Sequence, residues 1–163
     1  MDYELANSLW DYNPLTGVFL WKVHGNTRAR KGSVAGSIKS DGYTNVVYQR
    51  KAYKGHRLAW FMINGVWPDY QIDHIDGDRK NNRIANLRLA TCAENHQNRK
   101  RPLSNTSGFL GVYRYKYGKW CARIRVYPER IYLGTFDTAK EASEAYKKAK
   151  LTMHSFNPLI RSC

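Results

Sequence analysis

The chain has 163 residues, a length that allows one ordinary domain or two small ones. It carries 27 Lys and Arg residues against 13 Asp and Glu residues, a formal net charge of +14. The excess is uneven, because residues 1–98 hold 13 basic and 9 acidic side chains whereas residues 99–163 hold 14 and 4. Such an asymmetry predicts a polyanionic partner, with nucleic acid favoured over an anionic membrane surface.

The composition also argues against several classes of protein. Hydrophobic residues make up 42% of the chain and aromatic residues 13%, enough apolar surface for a core and unlike a disordered protein. No apolar run approaches the roughly 18 residues that span a bilayer, and the first residues do not resemble a signal peptide, so we expect an intracellular protein. Cys92, Cys121 and Cys163 form no C-x-x-C pair, which argues against a disulfide scaffold and a Cys-rich zinc site.

The first hundred residues predict a β-rich lead-in followed by helices and a further strand. Strand-forming residues and the turns between them predict strands over 17–21 and 43–48, a helix over 56–64, a strand over 70–75 and a helix over 91–99. Gly65 is expected to end the first helix, and a T-x-x-E capping box to begin the second. Between the first two strands lies a basic cluster, Arg28, Arg30 and Lys31, which either is a solvated loop or contacts phosphates.

The remaining residues predict a linker followed by a small sheet and one helix. Residues 99–108 are rich in basic and small polar residues and contain a proline. They show no hydrophobic periodicity that could bury one face of a helix or strand, so the sequence predicts a linker here. Strands are predicted over 109–117, 119–127 and 130–136, and a second T-x-x-E spacing predicts a helix capped by Thr138. In that helix the residues Ala142, Ala145, Tyr146 and Ala149 form a stripe expected to pack on a sheet.

Alternation along these three strands separates an apolar face from a face of tyrosines and arginines. The apolar parity is expected to pack against the helix. The other parity consists of Tyr113, Tyr115, Tyr117, Arg123, Arg125, Arg130 and Tyr132. Arginines can bind phosphates or guanine edges, and tyrosines can pack on sugars or hydrogen-bond phosphates, so this pattern predicts DNA contact over an ordinary solvated face.

Several short motifs occur in order in this C-terminal part, ahead of the Ala-rich helix. They are Gly111-Val-Tyr-Arg114, Gly118-Lys-Trp120, Ala122-Arg-Ile-Arg125 and Ile131-Tyr-Leu-Gly-Thr-Phe-Asp-Thr138. Together, over about residues 107–157, they resemble the APETALA/ethylene-response-factor (ERF) DNA-binding domain. The resemblance implies a three-stranded antiparallel sheet in the DNA major groove with one helix behind it, and contacts from the same tyrosines and arginines. Arg123 stands where the plant proteins commonly have Glu, so the target sequence does not carry over.

Residues 72–96 concentrate carboxylate, imidazole and amide groups at a predicted strand, loop and helix start. Hydrolysis of a phosphodiester needs a base that activates water, a hard cation that stabilises charge on the phosphate, and a group that orients the base. A neutral histidine suits the first role, because the unperturbed pKa of histidine is about 6.5. An aspartate carboxylate together with an asparagine carbonyl oxygen suits Mg²⁺. The spacing does not fit an EF-hand, since position 6 of such a loop would be Asp78 rather than Gly.

The order Asp73-His74, a polar loop, Asn86-Leu-Arg88 and then Glu94-Asn95 at a helix start resembles the HNH endonuclease motif of the ββα-metal fold. The lead-in motifs Gly32-Ser-Val-Ala-Gly36, His56-Arg-Leu-Ala-Trp60 and Gly65-Val-Trp-Pro68 are similar to those of phage-type HNH homing endonucleases. This resemblance implies that His74 is the general base, that Asn86 orients it, and that Asp73 and Asn95 bind one Mg²⁺ (or Mn²⁺) ion. His96, next to Asn95, is the alternative ligand.

Two structural expectations accompany this assignment. Adjacent strand residues face opposite ways, so Asp73 and His74 can serve one phosphate only if the strand ends or bends there. His56 lies in a mostly apolar helix, and we expect it to be a structural histidine with satisfied hydrogen bonds.

The sequence therefore predicts an α+β DNA endonuclease. Residues 1–100 would hold the lead-in and an HNH unit with its core at about 69–100, residues 101–107 a basic linker, and residues 108–163 the ERF-type antiparallel sheet and helix. Its expected partner is double-stranded DNA, with no membrane and no small-molecule substrate. A monomer is favoured, and a phage-encoded protein would act in the cytoplasm of the host cell. The alternative is a DNA-binding regulator with a vestigial nuclease domain.

Overall fold

The computed structural model of the chain describes residues 1–24, 29–97, 105–154 and 156. The chain divides into two compact units, 1–91 and 92–163, here called the N-terminal unit and the C-terminal unit. The N-terminal unit contains α1 Tyr3–Leu9, β1 Trp10–Asn13, β2 Val18–Trp21, β3 Val34–Ala35, β4 Ser37–Ile38, β5 Thr44–Tyr48, β6 Lys51–Lys54, α2 Gly55–Asn64, β7 Gln71–His74 and β8 Leu87–Ala90. The C-terminal unit contains α3 Cys92–Gln97, β9 Val112–Arg114, β10 Trp120–Val126, β11 Glu129–Phe136 and α4 Ala139–Met153. The predicted α+β class is confirmed.

Small antiparallel sheets and α2 enclose the core of the N-terminal unit. The strands are ordered β1-β2-β3 and β4-β5-β6, and β7 pairs with β8. Alternation turns one side of each strand inward, and the core includes the enclosed side chains of Trp10, Phe19 and Val46. From α2, Leu58 faces the same core. The helix ends as predicted at Gly65, which has φ 75 and donates a hydrogen bond to the Phe61 carbonyl at 2.9 Å.

The β1-β2 hairpin lies against the segment that precedes β8. The Tyr12 hydroxyl donates a hydrogen bond to the Asn82 carbonyl at 2.7 Å. At the hairpin turn Gly17 has φ +74, and a Cβ there would lie 2.6 Å from the Arg83 nitrogen. The close approach therefore requires glycine, and the hairpin holds one end of the loop that connects β7 to β8.

In the C-terminal unit, an antiparallel sheet of order β11-β10-β9 packs against α4. The predicted capping box is present, since Thr138 Oγ1 accepts a hydrogen bond from the Glu141 N–H at 3.2 Å and the Glu141 carboxylate accepts one from the Thr138 N–H at 3.3 Å. Val112, Ala122 and Ala142 form the buried centre between sheet and helix, as the apolar parity and the alanine stripe predict.

The first helix, α1, is not predicted by the sequence pattern. It has only seven residues, too few for a helical period to stand out. Its start is nevertheless local in origin, because the Asp2 side chain accepts a hydrogen bond from the Leu5 N–H at 2.8 Å. Ala6 and Leu9 are the buried residues of this helix.

The strand predicted over 109–117 is shorter than expected. β9 ends at Arg114, because the Tyr115 N–H donates to the Lys119 carbonyl at 2.8 Å and closes a turn before β10. Within that turn Tyr117 has φ 56, a left-handed conformation that interrupts strand alternation. The parity argument therefore does not extend to Tyr115 and Tyr117.

The domain boundary and the linker remain predictions. Residues 98–104, which include most of the predicted linker, lie outside the described residues. The compact units divide after residue 91, ahead of α3, whereas the sequence places the boundary near residue 100. Within the described ranges, no helix is both long enough and apolar enough to cross a membrane.

We expect Gly111→Ala to destabilise the C-terminal unit more than Gly118→Ala does. Both glycines have positive φ, +68 and +76, so both changes carry a similar backbone strain. A Cβ at Gly111 would also lie 2.2 Å from the Tyr146 ring, whereas none of the described atoms lies within 4 Å of a Cβ at Gly118. The extra cost should be about 1–3 kcal/mol, measured by urea denaturation, and equal costs would contradict this packing.

Candidate active site and nucleic-acid interface

His74 lies where β7 ends and the loop to β8 begins. It is paired with Leu87 of β8, and its carbonyl accepts a hydrogen bond from the Gly77 N–H at 2.9 Å, which turns the chain. β7 thus ends at His74, as the predicted joint action of Asp73 and His74 on one phosphate requires.

The imidazole of His74 is buried beside Asn82. His74 is 4% exposed, and its Nε2 lies 3.3 Å from Asn82 Oδ1. Burial lowers the pKa of His74 below its ordinary value, although the hydrogen bond with Asn82 and the charges of Asp76 and Asp73 act in the opposite direction. His74 is therefore neutral at neutral pH, the state that a general base needs.

Asp73 is buried and forms an ion pair with Arg88, the residue opposite it on β8. Nε and Nη2 of Arg88 lie 2.9 and 2.7 Å from Asp73 Oδ2. The guanidinium compensates a carboxylate whose burial alone would cost several kcal/mol. If Asp73 binds a cation as predicted, it shares its carboxylate between the cation and Arg88.

Asn86 organises the loop that follows His74. Its Nδ2 donates to Asp76 Oδ1 at 3.0 Å, its Oδ1 accepts from the Asp76 N–H at 3.0 Å, and its carbonyl accepts from the Ile75 N–H at 2.8 Å. The sequence predicts that Asn86 orients His74. These bonds allow Asn86 to act on His74 indirectly, by holding the backbone of Ile75 and Asp76 that follows it. The hydrogen bond to the ring comes from Asn82, which sequence reasoning missed.

Asp76 is the centre of this loop. Besides Asn86, it accepts hydrogen bonds from the Asp78 N–H at 2.8 Å and from Asn81 Nδ2 at 2.7 Å. Burial acts to raise the pKa of Asp76, but these hydrogen bonds outweigh burial and leave the pKa below its ordinary value. An ionised Asp76 therefore holds the loop in one conformation.

The rings of His56 and Tyr43 pack beside His74, and two cations pack on the Tyr43 ring. The ring of His56 lies 5.1 Å from that of His74, and the Tyr43 ring lies 5.0 and 5.9 Å from the two histidines. Lys54 Nζ and Arg79 Cζ each lie 4.8 Å from the centre of the Tyr43 ring. The two aromatic rings thus pack around the imidazole, and the Arg79 guanidinium lies on the far side of one of them, while Lys54 is paired with Asp41 at 2.6 Å.

The expectation that the hydrogen bonds of His56 are satisfied is wrong. His56 is 8% exposed, and its Nδ1 has no hydrogen-bond partner among the described residues. Burial is the main reason that its pKa falls to about 3, and the charges of His74, Arg57 and Lys54 act in the same direction. Sequence could not show this, because burial depends on how α2 packs against Tyr43 and His74.

The predicted metal ligands lie in different units. Asp73 lies on β7 of the N-terminal unit, whereas Asn95 and His96 lie on α3 of the C-terminal unit. Within the described ranges, no three His, Cys, Asp or Glu side chains form a group able to hold a metal ion. A buried carboxylate at the end of β7 is the kind of oxygen ligand that Mg²⁺ prefers, so the chemistry of Asp73 fits a divalent cation.

In the C-terminal unit, all seven residues predicted to contact DNA are exposed. They are Tyr113, Tyr115, Tyr117, Arg123, Arg125, Arg130 and Tyr132. The register between β10 and β11 places Arg123 opposite Tyr132 and Arg125 opposite Arg130. Like charges directly opposite each other are unfavourable unless an anion lies between them. Tyr117, at the tip of the β9-β10 turn, is 97% exposed.

Cys121 belongs to the same strand parity but is buried, with 2% of its surface exposed. Its register partners are Tyr113 on β9 and Thr135 on β11. The side chain of Thr135 forms a hydrogen bond with the Tyr132 hydroxyl.

The basic cluster of the lead-in is described only in part. Arg30 and Lys31 are exposed, and the Arg30 carbonyl accepts hydrogen bonds from the Ser33 N–H and hydroxyl at 2.9 and 2.6 Å. Arg28 lies outside the described residues. Phosphate contact by this cluster remains a prediction.

Residues 53–97 match the family model of HNH endonucleases. The chain is 49% identical over 63 residues to protein 3.8 of Escherichia phage T7, covering 38% of this chain and 52% of the phage protein. The chain therefore contains an HNH endonuclease domain, and the predicted HNH resemblance is confirmed. The solved structure of DNA binding and cleavage by the HNH homing endonuclease I-HmuI aligns with 56% of this chain and 51% of that chain, at 24% identity and a TM-score of 0.41.

The C-terminal part is similar to plant AP2/ERF proteins, which confirms the second resemblance. The ethylene-responsive transcription factor ERF069 of Arabidopsis thaliana is 44% identical over 55 residues, covering 31% of this chain and 35% of that protein. The rice ethylene-responsive transcription factor FZP (Oryza sativa subsp. japonica) is 53% identical over 47 residues, covering 28% of this chain and 15% of that protein. The chain thus spans about half of the phage relative and much less of the plant relatives.

We expect His56 to make the N-terminal unit less stable as pH falls. In the unfolded chain His56 takes up a proton near pH 6.5, whereas in the folded chain it does so only at about 3, so the unfolded state binds more protons between these values. A difference of one proton changes the free energy of unfolding by about 1.4 kcal/mol per pH unit.

His56→Phe should therefore flatten the dependence of unfolding free energy on pH between about 6.5 and 5. Urea denaturation followed by tryptophan fluorescence measures this slope, and the exposed His24→Phe is the control. An unchanged slope in the His56 variant would contradict the burial of a neutral imidazole.

Proposed function

We propose that the chain is a metal-dependent DNA endonuclease of HNH type. It hydrolyses phosphodiester bonds in double-stranded DNA through the N-terminal unit and binds DNA through the tyrosine and arginine face of the C-terminal unit. The observation that carries the nuclease proposal is the placement of His74, a buried and neutral imidazole at the end of β7, next in sequence to the carboxylate of Asp73.

The chemistry follows from that placement. His74 takes a proton from a water molecule, whose oxygen attacks the phosphorus in line as the bond to the 3′ oxygen breaks. The products are a 5′-phosphate and a 3′-hydroxyl, the latter after the leaving oxygen is protonated by solvent. Arg79, packed on Tyr43, adds positive charge that favours approach of the DNA backbone, whereas the charge of Lys54 is paired with Asp41 at 2.6 Å.

A divalent cation, Mg²⁺ or Mn²⁺, would supply charge stabilisation of the phosphate and of the leaving oxygen. Asp73 is the residue of the N-terminal unit proposed to bind it. Asn95 is proposed as the second protein ligand on the spacing of the motif, with His96 as the alternative.

His74→Ala should abolish cleavage, because it removes the proposed base. DNA affinity should stay nearly unchanged, because the His74 side chain is buried and neutral and contributes no surface charge to DNA binding. Supercoiled plasmid and long phage-type DNA incubated with Mg²⁺ or with EDTA, and resolved by gel, measure nicking and linearisation. The exposed His24→Ala is the matched control and should cleave normally.

Cleavage that survives in His74→Ala would overturn the assignment of the base, and cleavage that survives in EDTA would overturn the metal dependence. Binding without cleavage on the native locus would favour a DNA-binding regulator over a nuclease.

The proposal of DNA binding rests on the exposed arginines of β10 and β11. Arg125 and Arg130 are opposite each other in the sheet, and Arg123 is opposite Tyr132. These arginines, with Tyr113, line a groove of about 700 Å³. A row of guanidinium groups beside hydroxyls and aromatic rings suits phosphates, sugars and base edges.

Arg123→Ala and Arg125→Ala should each weaken DNA binding by about 1–3 kcal/mol if they contact bases, and binding should fall steeply with added salt. Fluorescence anisotropy with labelled duplex at several salt concentrations measures both effects. Lys140→Ala, which removes one positive charge from α4, is the control. Unchanged affinity in both arginine variants would make this face an ordinary solvated surface.

A further inference from the structure

We propose that Asn82 is the positioning residue of His74: its side-chain oxygen accepts a hydrogen bond from Nε2–H and leaves Nδ1 as the nitrogen that takes the proton from water. This inference rests on the proposed endonuclease function. It assigns to Asn82 a role that the HNH resemblance implies for Asn86.

The orientation of the Asn82 amide follows from its partners. Its Nδ2 lies 3.2 Å from the Lys80 carbonyl, which can only accept a hydrogen bond, so nitrogen must occupy that side of the amide. Oδ1 then faces His74 Nε2 at 3.3 Å. An oxygen acceptor requires a proton on Nε2, and a neutral imidazole carries only one ring proton, so Nδ1 holds the lone pair.

Asn82 is itself held rigidly. It is 2% exposed, and its carbonyl accepts the hydrogen bond from the Tyr12 hydroxyl at 2.7 Å. A Cβ at Gly17 would lie 2.6 Å from the Asn82 carbonyl carbon, and one at Gly55 would lie 3.1 Å from Asn82 Nδ2. Contacts from the β1-β2 hairpin and from the start of α2 therefore restrict both the backbone and the amide of Asn82.

The ring of His74 has little freedom to turn away from Asn82. The His56 ring meets it edge-on at 5.1 Å, and the Tyr43 ring lies 5.9 Å from it. Packing limits the position of the imidazole, and the Asn82 oxygen selects its tautomer. Asn86, by contrast, makes its side-chain hydrogen bonds with Asp76 and the Asn81 carbonyl.

The test compares two variants of nearly equal volume in the full chain. Asn82→Leu removes the acceptor, and Asn82→Asp keeps an oxygen at the same position. Ring-nitrogen NMR of ¹⁵N-histidine-labelled protein at one neutral pH reports the tautomer of His74, assigned by its loss in His74→Ala. Plasmid cleavage gives kcat, and anisotropy gives the DNA dissociation constant. Asn64→Leu, on the exposed end of α2, is the matched control.

We expect His74 to be the Nε2–H tautomer in the natural chain, in Asn82→Asp and in Asn64→Leu. In Asn82→Leu this tautomer should be lost and kcat should fall about ten- to a hundredfold, while the dissociation constant for DNA changes by less than about twofold. A residue that only stabilises the fold would leave the tautomer unchanged and would lower the amount of folded protein instead.

An Nδ1–H tautomer in the natural chain would overturn the proposal, even if Asn82→Leu does not fold. So would an Asn82→Leu variant that folds, keeps the Nε2–H tautomer and cleaves normally. If the natural chain cuts no DNA, the proposed function fails, and the tautomer spectra still decide whether Asn82 sets the state of His74.

Discussion

The hydrogen bond from the Tyr12 hydroxyl to the Asn82 carbonyl joins two parts of the chain that are 70 residues apart, and the candidate active site depends on it. Asn82 in turn bonds the imidazole of His74. Through Asn82, the β-rich lead-in therefore restricts the position of the proposed base. Because a buried polar group left without a partner costs about 1–3 kcal/mol, this chain of contacts favours one arrangement over others.

The two carboxylates near His74 in sequence, the buried Asp73 and the exposed Asp76, have different partners. Asp73 is compensated by Arg88 across the β7-β8 pair, and Asp76 is satisfied by backbone and amide donors within the loop. The side chain of Asn82, which hydrogen-bonds the imidazole, is neutral. The site thus places the Asp73–Arg88 ion pair and the ionised Asp76 close to an imidazole that stays unprotonated at neutral pH, a combination that suits the proposed hydrolysis.

Much of the fold could be predicted because local patterns determine it. The capping box at Thr138, the left-handed stop at Gly65 and the alternation in β10 depend on near neighbours in sequence. The prediction was wrong where a turn overrode alternation, since the Tyr115–Lys119 hydrogen bond ends β9 early. It also missed α1, whose seven residues show no period.

The sequence by itself determined the class of each half of the chain, because the order and spacing of short motifs are local properties. It identified His74 and Asp73 as candidates, and it identified the tyrosine and arginine parity of the sheet. Only the tertiary structure decided that Asn82 rather than Asn86 bonds the imidazole, that Arg88 pairs with Asp73, and that His56 is buried as a neutral ring. The reason is that hydrogen-bond geometry and burial depend on segments far apart in sequence, whose approach no spacing rule records.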